Sequence, residues 1–255
     1  PTSWSPANDP RLPRTETSKA GKAEGDEHTW FHQPSLPPRL SRERSLPPQI
    51  WTERDRQMQA VRVHEGRAVP LDRSDVDTDQ IIPSDWLKRV ERTGFGKGLF
   101  SEWRDEREFI LNDESYAGAS ILVAGPNFGT GSSREHAVWA LMDYGFMAVV
   151  SPRFGDIFRN NATKNGLIPC EISQDGATKL REALHSDPGL AVTVDVERLK
   201  VLVPAIGLEE DFPMDSATQE RFLEGLDDIG ITLRSEKSID SFEATRPGWL
   251  PDTQI

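Results

Sequence analysis

Gly125-Pro-Asn-Phe-Gly-Thr-Gly-Ser-Ser-Arg-Glu-His-Ala137 is the stretch on which the reading of this chain turns. Just before it, Ala119-Ser-Ile-Leu-Val-Ala124 is a short apolar run with β-branched residues, bounded by Gly118 and Gly125. That pattern predicts a buried strand. After it, Ala137, Ala140, Leu141 and Tyr144 recur at helical spacing until Gly145, which predicts a helix over 132–144. Phe146-Met-Ala-Val-Val-Ser151 is the next strand. Strand, glycine-rich loop, helix and strand make a βαβ unit, and the fold class is α/β.

Working outward, a second unit follows: a helix over Asp156–Asn165 stopped by Gly166, then a strand over Leu167–Ile172. A helix is expected over Ala177–Leu184, and a hairpin from Ala191–Val196 and Lys200–Val203. Ser216–Gly225 reads as a helix and Ile229–Leu233 as a strand. Upstream, Val61, Val63, Ala68, Val69 and Leu71 suggest a strand pair turning at Glu65-Gly66. Pro1 to Gln57 differs from everything after it. Pro34, Pro37, Pro38, Pro47 and Pro48 interrupt it, no helical or strand period survives, and a disordered leader is expected. Its acids, among them Glu16, Glu24, Asp26, Glu27 and Glu43, argue against a transit peptide. Residues 58–255 are expected to form the domain, with Met58 as its natural start and 1–57 dispensable.

Composition narrows the function. Lys+Arg 30 against Asp+Glu 42 gives a net charge of −12, which argues against a nucleic-acid track or an anionic membrane surface. No apolar run approaches the roughly 20 residues that cross a bilayer. Cys170 is the single cysteine, so no internal disulfide can form and a reducing cytoplasm is the simplest compartment. One thiol cannot hold an iron–sulfur cluster, which takes about four cysteine ligands, or three with an open site.

The loop itself is neither of two familiar phosphate binders. A Walker A loop needs Lys after its last glycine, where Ser132 stands, and a dinucleotide fingerprint needs a third glycine where Arg134 stands. What remains is a glycine-rich turn that delivers two hydroxyls and a guanidinium to a helix N-terminus, a place suited to a carboxylate. The plainer alternative is that Ser132-Ser-Arg-Glu135 is a capping box whose side chains only satisfy helix-start N–H groups. Asp75, Asp77 and Asp79 alternate like an EF-hand, but Gln80 and Trp86 occupy the positions that need Gly and Glu, so calcium is not expected. An Asx-rich turn before a strand-like Gln80-Ile-Ile82, closed by Pro83, is the simpler reading. His28, His32, His64 and His185 have no ligand spacing, and no metal site is expected on this chain.

The run Gly125–Ala137 resembles the signature of the aconitase-type swivelling domain, which in its separately encoded form is the small subunit of 3-isopropylmalate dehydratase. The likeness runs from about Met58 to Pro251. It takes in Asp75-Val-Asp-Thr-Asp-Gln-Ile-Ile-Pro83, Arg92-Thr-Gly-Phe-Gly96, Phe100-Ser-Glu-Trp103 and Trp139-Ala-Leu-Met-Asp-Tyr-Gly145. Asp156-Ile-Phe-Arg-Asn-Asn161, Asn165-Gly-Leu-Ile-Pro169 and Gly225-Leu-Asp-Asp-Ile-Gly-Ile-Thr-Leu233 continue it. The resemblance implies a swivelling β/β/α domain and a hydro-lyase that isomerises 2-isopropylmalate to 3-isopropylmalate, by dehydration and rehydration, in leucine biosynthesis. It implies that Ser132 is the catalytic base, held as an alkoxide in a nest of loop N–H groups, that Ser133 and Arg134 bind a substrate carboxylate, and that Gly129, Thr130, Gly131 and Arg92 are further substrate-binding residues. Thr130 departs from the family, which commonly has Cys there; that Cys is not a cluster ligand. Asp77, Thr78 and Asp79 are implied to line the cleft as polar substrate contacts. Leu87–Phe100, with Lys88, Arg89, Arg92 and Lys97 and apolar Phe95, Leu99 and Phe100, would be a flexible lid that sets substrate choice. No cofactor is expected on this chain; a [4Fe–4S] cluster is expected on a large-subunit partner, without which neither chain should be active. A related hydro-lyase acting on citraconate, methylmalate or homoaconitate, and a non-catalytic anion-binding module, are the alternatives.

Overall fold

A computed structural model describes residues 58–88 and 94–247. The expected leader, 1–57, lies outside the described residues.

One mixed sheet of seven strands forms the centre: β1 (Val63–Leu71), β2 (Ile121–Ala124), β3 (Ala148–Ser151), β4 (Ile168–Glu171), β5 (Ala191–Asp195), β6 (Lys200–Val203) and β7 (Leu208–Asp211), in the order β4-β3-β2-β1-β5-β6-β7. β1 is the pivot. Its second half, Ala68–Leu71, pairs in parallel with Ile121–Ala124, while its first half, Val63–Arg67, pairs antiparallel with Ala191–Asp195. β2, β3 and β4 continue the parallel half, and β5, β6 and β7 form an antiparallel meander.

Two helices make the crossovers of the parallel half, α2 (Glu135–Tyr144) between β2 and β3 and α3 (Asp156–Asn165) between β3 and β4. A single-turn α1 (Thr78–Ile81) follows β1, while α4 (Gln174–Ser186), α5 (Ser216–Glu224), α6 (Asp228–Leu233) and α7 (Glu236–Ala244) complete the set. The pleat of the sheet divides the apolar residues between two faces. Val69, Leu71, Leu122, Ala124 and Val149 meet Ala137, Leu141, Phe158 and Ala162 of α2 and α3. The alternate residues Ala68, Ile121, Val123, Ala148 and Val150 meet Ala177, Leu180 and Leu184 of α4 and Phe222 of α5. The short parallel strands are buried on both sides, which is why they read as unbroken apolar runs. Pro169, with no N–H to give, is tolerated in β4 because that strand is a sheet edge.

Several expectations need correction. Glu65-Gly66 is no turn: β1 runs straight through it. Gly66 is small because a Cβ there would stand 2.0 Å from Ser120 Oγ, whose hydroxyl pairs with His64 Nε2 at 2.8 Å. Gln80-Ile81 is helical rather than strand-like, with Ile82 the extended residue that ends the turn, because Asp77 and Gln80 form a capping box that nucleates α1. Ile229–Leu233 is the helix α6, started by the Asp227 side chain accepting from Gly230 N at 2.6 Å. β7 and α7 were not expected. In the expected lid, Arg89–Thr93 lies outside the described residues, but Phe95, Leu99 and Phe100 are core residues, not apolar lid contacts. The glycines here allow close packing: a Cβ on Gly96 would be 2.8 Å from the backbone of Asp143, and one on Gly98 would be 2.5 Å from the Trp86 ring.

Candidate active site

The glycine loop leaves the C-terminal end of β2 and crosses the ends of the neighbouring strands, the position where open parallel sheets bind ligands. Buried Ser151, at the end of β3, donates its hydroxyl to Gly125 O at 2.8 Å. Asn127 takes a positive φ of 60° and donates from Nδ2 to Asp75 Oδ1 at 2.6 Å, while Asp75 N donates to Pro126 O at 2.9 Å. Gly129 has no room for a side chain. Its φ is 75°, and a Cβ would stand 2.2 Å from Phe158 of α3. From beneath, Gly155 approaches so closely that its own Cβ would lie 2.4 Å from Gly129 O. Phe158 and Gly155 form this floor, and only the helix period of 156–165 hinted at it.

Segment 76–78 then runs beside 129–132. Gly129 N and Thr130 N both donate to Val76 O, at 2.7 and 3.2 Å, and Thr78 N donates to Thr130 O at 3.0 Å. A fourth contact is made by a side chain, with Thr78 Oγ1 donating to Ser132 O at 3.0 Å. Thr78 is 2% exposed, and its hydroxyl is engaged in supporting the loop. Asp77 likewise directs a carboxylate oxygen to Gln80 N at 2.8 Å.

The capping box expected at Ser132 does not form. α2 begins at Glu135, its N-cap residue is Arg134, and no side chain caps it. Ser132 and Ser133 are exposed, and their hydroxyls form no hydrogen bond among the described residues. The competition between capping and catalysis for one oxygen is therefore absent. Arg134 lies beside them with its side chain 18% exposed. Its Nη1 pairs with the carboxylate of Asp79 and reaches towards Ile82 O at 3.5 Å. Two free hydroxyls, a guanidinium and the uncapped start of α2 thus share one exposed edge, which suits an anionic ligand. Thr130 and Gly131 complete the loop, Gly131 with a φ of 89°. Arg92 lies outside the described residues.

His136, one residue into α2, packs its ring against Trp139 at 4.7 Å and Phe95 at 5.2 Å. Burial holds its pKa below the ordinary value, with Glu135 opposing and Arg134 adding to the shift. Trp139 Nε1 donates to Asn165 Oδ1 at 2.9 Å and Asn165 Nδ2 to Glu135 Oε1 at 2.8 Å, so α2 and α3 are joined just behind the serines.

Among the described residues no group of three or more His, Cys, Asp or Glu side chains could hold a metal ion. Cys170 is fully buried in β4, and burial drives its thiol far above the usual range, towards the protonated form. With its single, buried cysteine, this chain does not fit an iron–sulfur cluster. No helix among the described residues is long and apolar enough to cross a membrane.

Comparison with known proteins bears on the family of the chain. A family model of the aconitase C-terminal domain matches residues 58–175, and a model of the C-terminal domain of the 3-isopropylmalate dehydratase small subunit matches residues 228–251. A 3-isopropylmalate dehydratase small subunit of Parafrankia sp. is 61% identical over 196 residues, which cover 77% of this chain and 100% of the relative. Its counterpart from Rubrobacter xylanophilus is 54% identical over 194 residues, covering 76% and 98%. The crystal structure of 3-isopropylmalate dehydratase from Methanocaldococcus jannaschii is similar with a TM-score of 0.52 and 26% identity, over 71% of this chain and 99% of that one. A relative matched over its whole length at 61% identity, together with the two family models matched along this chain, leaves one conclusion: the chain belongs to the 3-isopropylmalate dehydratase small-subunit family.

Proposed function

We propose that the chain is the small subunit of a 3-isopropylmalate dehydratase that interconverts 2-isopropylmalate and 3-isopropylmalate, by loss and return of water, in leucine biosynthesis. The observation that carries this reading is the exposed, unpartnered Ser132 hydroxyl beside Ser133 and Arg134 at the uncapped start of α2. Ser132 takes the proton next to a substrate carboxylate. Ser133 and Arg134 hold that carboxylate, the guanidinium offering the paired donors that a carboxylate accepts. The N–H groups of Gly131 and of the first turn of α2 favour negative charge on the serine oxygen, the condition under which a serine serves as a base. Asp77 and Asp79 border the site, and Arg92 would add a further contact to the diacid.

Expulsion of hydroxide calls for a Lewis acid. On this reading a [4Fe–4S] cluster on a large-subunit partner supplies it, and the two chains work together in the reducing cytoplasm. The site edge is open to a partner surface because Ser132 and Ser133 are exposed. Residues 58–255 would be sufficient for this role.

Anaerobic reconstitution tests the proposal. The chain is mixed with the cluster-loaded large subunit of the same organism, and isopropylmaleate is followed from 2-isopropylmalate, with citraconate and homoaconitate in parallel. Turnover of 2-isopropylmalate that requires both chains is expected. Activity with another diacid alone would transfer the site to a sister reaction. Ser132→Ala should lower turnover by several orders of magnitude with folding intact; near-normal turnover would remove Ser132 as the base.

A further inference from the structure

The loop that carries Ser132 is tied to the rest of the fold in a graded way. Through Thr130 it is held by backbone: Gly129 N and Thr130 N on Val76 O, and Thr78 N on Thr130 O. Beyond Thr130 that ladder stops, because the chain opposite turns into α1. Thr78 O is spent inside this turn, accepting from Ile82 N at 3.0 Å. Gly131, Ser132 and Ser133 are exposed, Gly131 has a φ of 89°, and no side chain caps α2 behind them. From Gly131 to Ser133, the chain is tied to the body of the protein through Thr78 Oγ1, which donates to Ser132 O at 3.0 Å. That donor is rigidly placed. Thr78 is 2% exposed, it sits in a turn capped by Asp77 and Gln80, and the adjacent Ile81 is wholly buried.

We propose that Thr78 is the positioning residue for Ser132: its buried hydroxyl, by holding the Ser132 carbonyl, fixes the backbone from which the Ser132 hydroxyl projects. The inference rests on the base role proposed for Ser132 and deepens it. The carbonyl and the reactive hydroxyl belong to one residue, so a shift of the peptide plane moves the oxygen that must meet the substrate proton. Misplacement of about 1 Å costs roughly a hundredfold in rate. Because Thr78 is buried and its hydroxyl is given to the Ser132 carbonyl, its loss should act on the chemical step and leave substrate binding nearly alone, a pattern set apart from that of a carboxylate-binding residue. The same one-turn helix holds Arg134 through Asp79. Base and clamp are thereby referenced to a single small element.

The test uses the full chain with its cluster-loaded large subunit and 2-isopropylmalate. Thr78→Val keeps the shape and removes the donor. It should lower kcat about ten- to a hundredfold while KM moves less than about twofold, and Thr78→Ser should restore most of the loss. In the chain alone, amide exchange at 131–134 should accelerate in Thr78→Val and stay unchanged in β2 and β3. If Thr78→Val does not fold, Thr78→Ala is read in the same two assays. Wild-type kcat in a folded variant lacking the hydroxyl, or a rise in KM alone, would overturn the inference. Ser132→Ala separates this failure from the other: if that variant is still active the base reading itself is wrong, whereas an inactive Ser132→Ala beside a fully active Thr78→Val removes only the role of Thr78.

Discussion

Gly129 shows how little latitude single residues have around the site. In the sequence it is one of three glycines in a loop, and an anion-binding nest is the natural expectation for all of them. The structure gives it two separate reasons to be glycine, a φ of 75° and the Phe158 ring 2.2 Å from where a Cβ would stand. Gly118 shares the first reason and not the second, since its φ is 77° and nothing lies within 4 Å. The pair forms a controlled comparison. Gly118→Ala should cost about 1–2 kcal/mol, the left-handed penalty alone. Gly129→Ala should cost about 2–4 kcal/mol, because overpacking adds to it. Urea unfolding of both variants decides; equal losses would mean that the ring gives way freely. Cys170 is the opposite case, a residue made inert by burial alone. Its thiol is buried and pushed upward, so a thiol reagent should leave the native chain unlabelled and react only after unfolding.

Elements were legible where the apolar period was strong and the stop signal local. The helix at Asp156–Asn165 falls where its period and Gly166 put it, and the βαβ unit around the loop forms in the predicted order, with its helix ending at Gly145 as expected. The failures share a cause, in that capping geometry and tertiary contact outweighed composition. β-Branched residues in Ile229–Leu233 suggest a strand, yet Asp227 caps the segment and turns it into α6. Ser132 and Glu135 have the spacing of a capping box, yet the ties of 129–132 to 76–78 carry the chain past the cap position, and the helix begins three residues later. Glycines in 94–98 read as flexibility, although two of them make room for Asp143 and Trp86. At the site, the loop residues were recognisable from their pattern, whereas the support from Thr78 depends on a contact 54 residues away and no local signal announces it. α1 is the element on which this matters most, because four residues cannot sustain a helix unaided. Asp77→Ala removes its cap and should cost about 1 kcal/mol, whereas Asp77→Asn keeps an acceptor and should cost only a few tenths. Turnover should follow the same order, since α1 presents both Thr78 and Asp79 to the loop.

For the molecule as a whole, the sheet has one core on each face, with β1 common to both. Residues that meet α4 and α5 alternate along the same strands with those that meet α2 and α3, so the two cores should unfold together. The response to pH tests how that unit is held. His64 lies within β1, its Nε2 2.8 Å from Ser120 Oγ, and burial keeps its pKa below the ordinary histidine value. The unfolded chain therefore binds a proton at His64 more readily than the folded chain does. Stability from this group is complete above the unfolded value near pH 6.5 and is lost as the pH falls towards the depressed folded value. His136 is shifted in the same direction and adds to the loss. Asp113 and Asp215 act lower down. Hydrogen bonds from Ser115 and Thr218 hold their carboxyls below the usual range, so what they contribute is present above about pH 4 and disappears on further acidification. Two acid steps should then be visible in a plot of unfolding free energy against pH, one on the histidine side and one on the carboxylate side. His64→Gln should flatten the upper step without removing it, leaving the share of His136, and should leave the lower step unchanged. An upper step of unaltered size in His64→Gln would show that protonation of β1 is not what weakens the sheet.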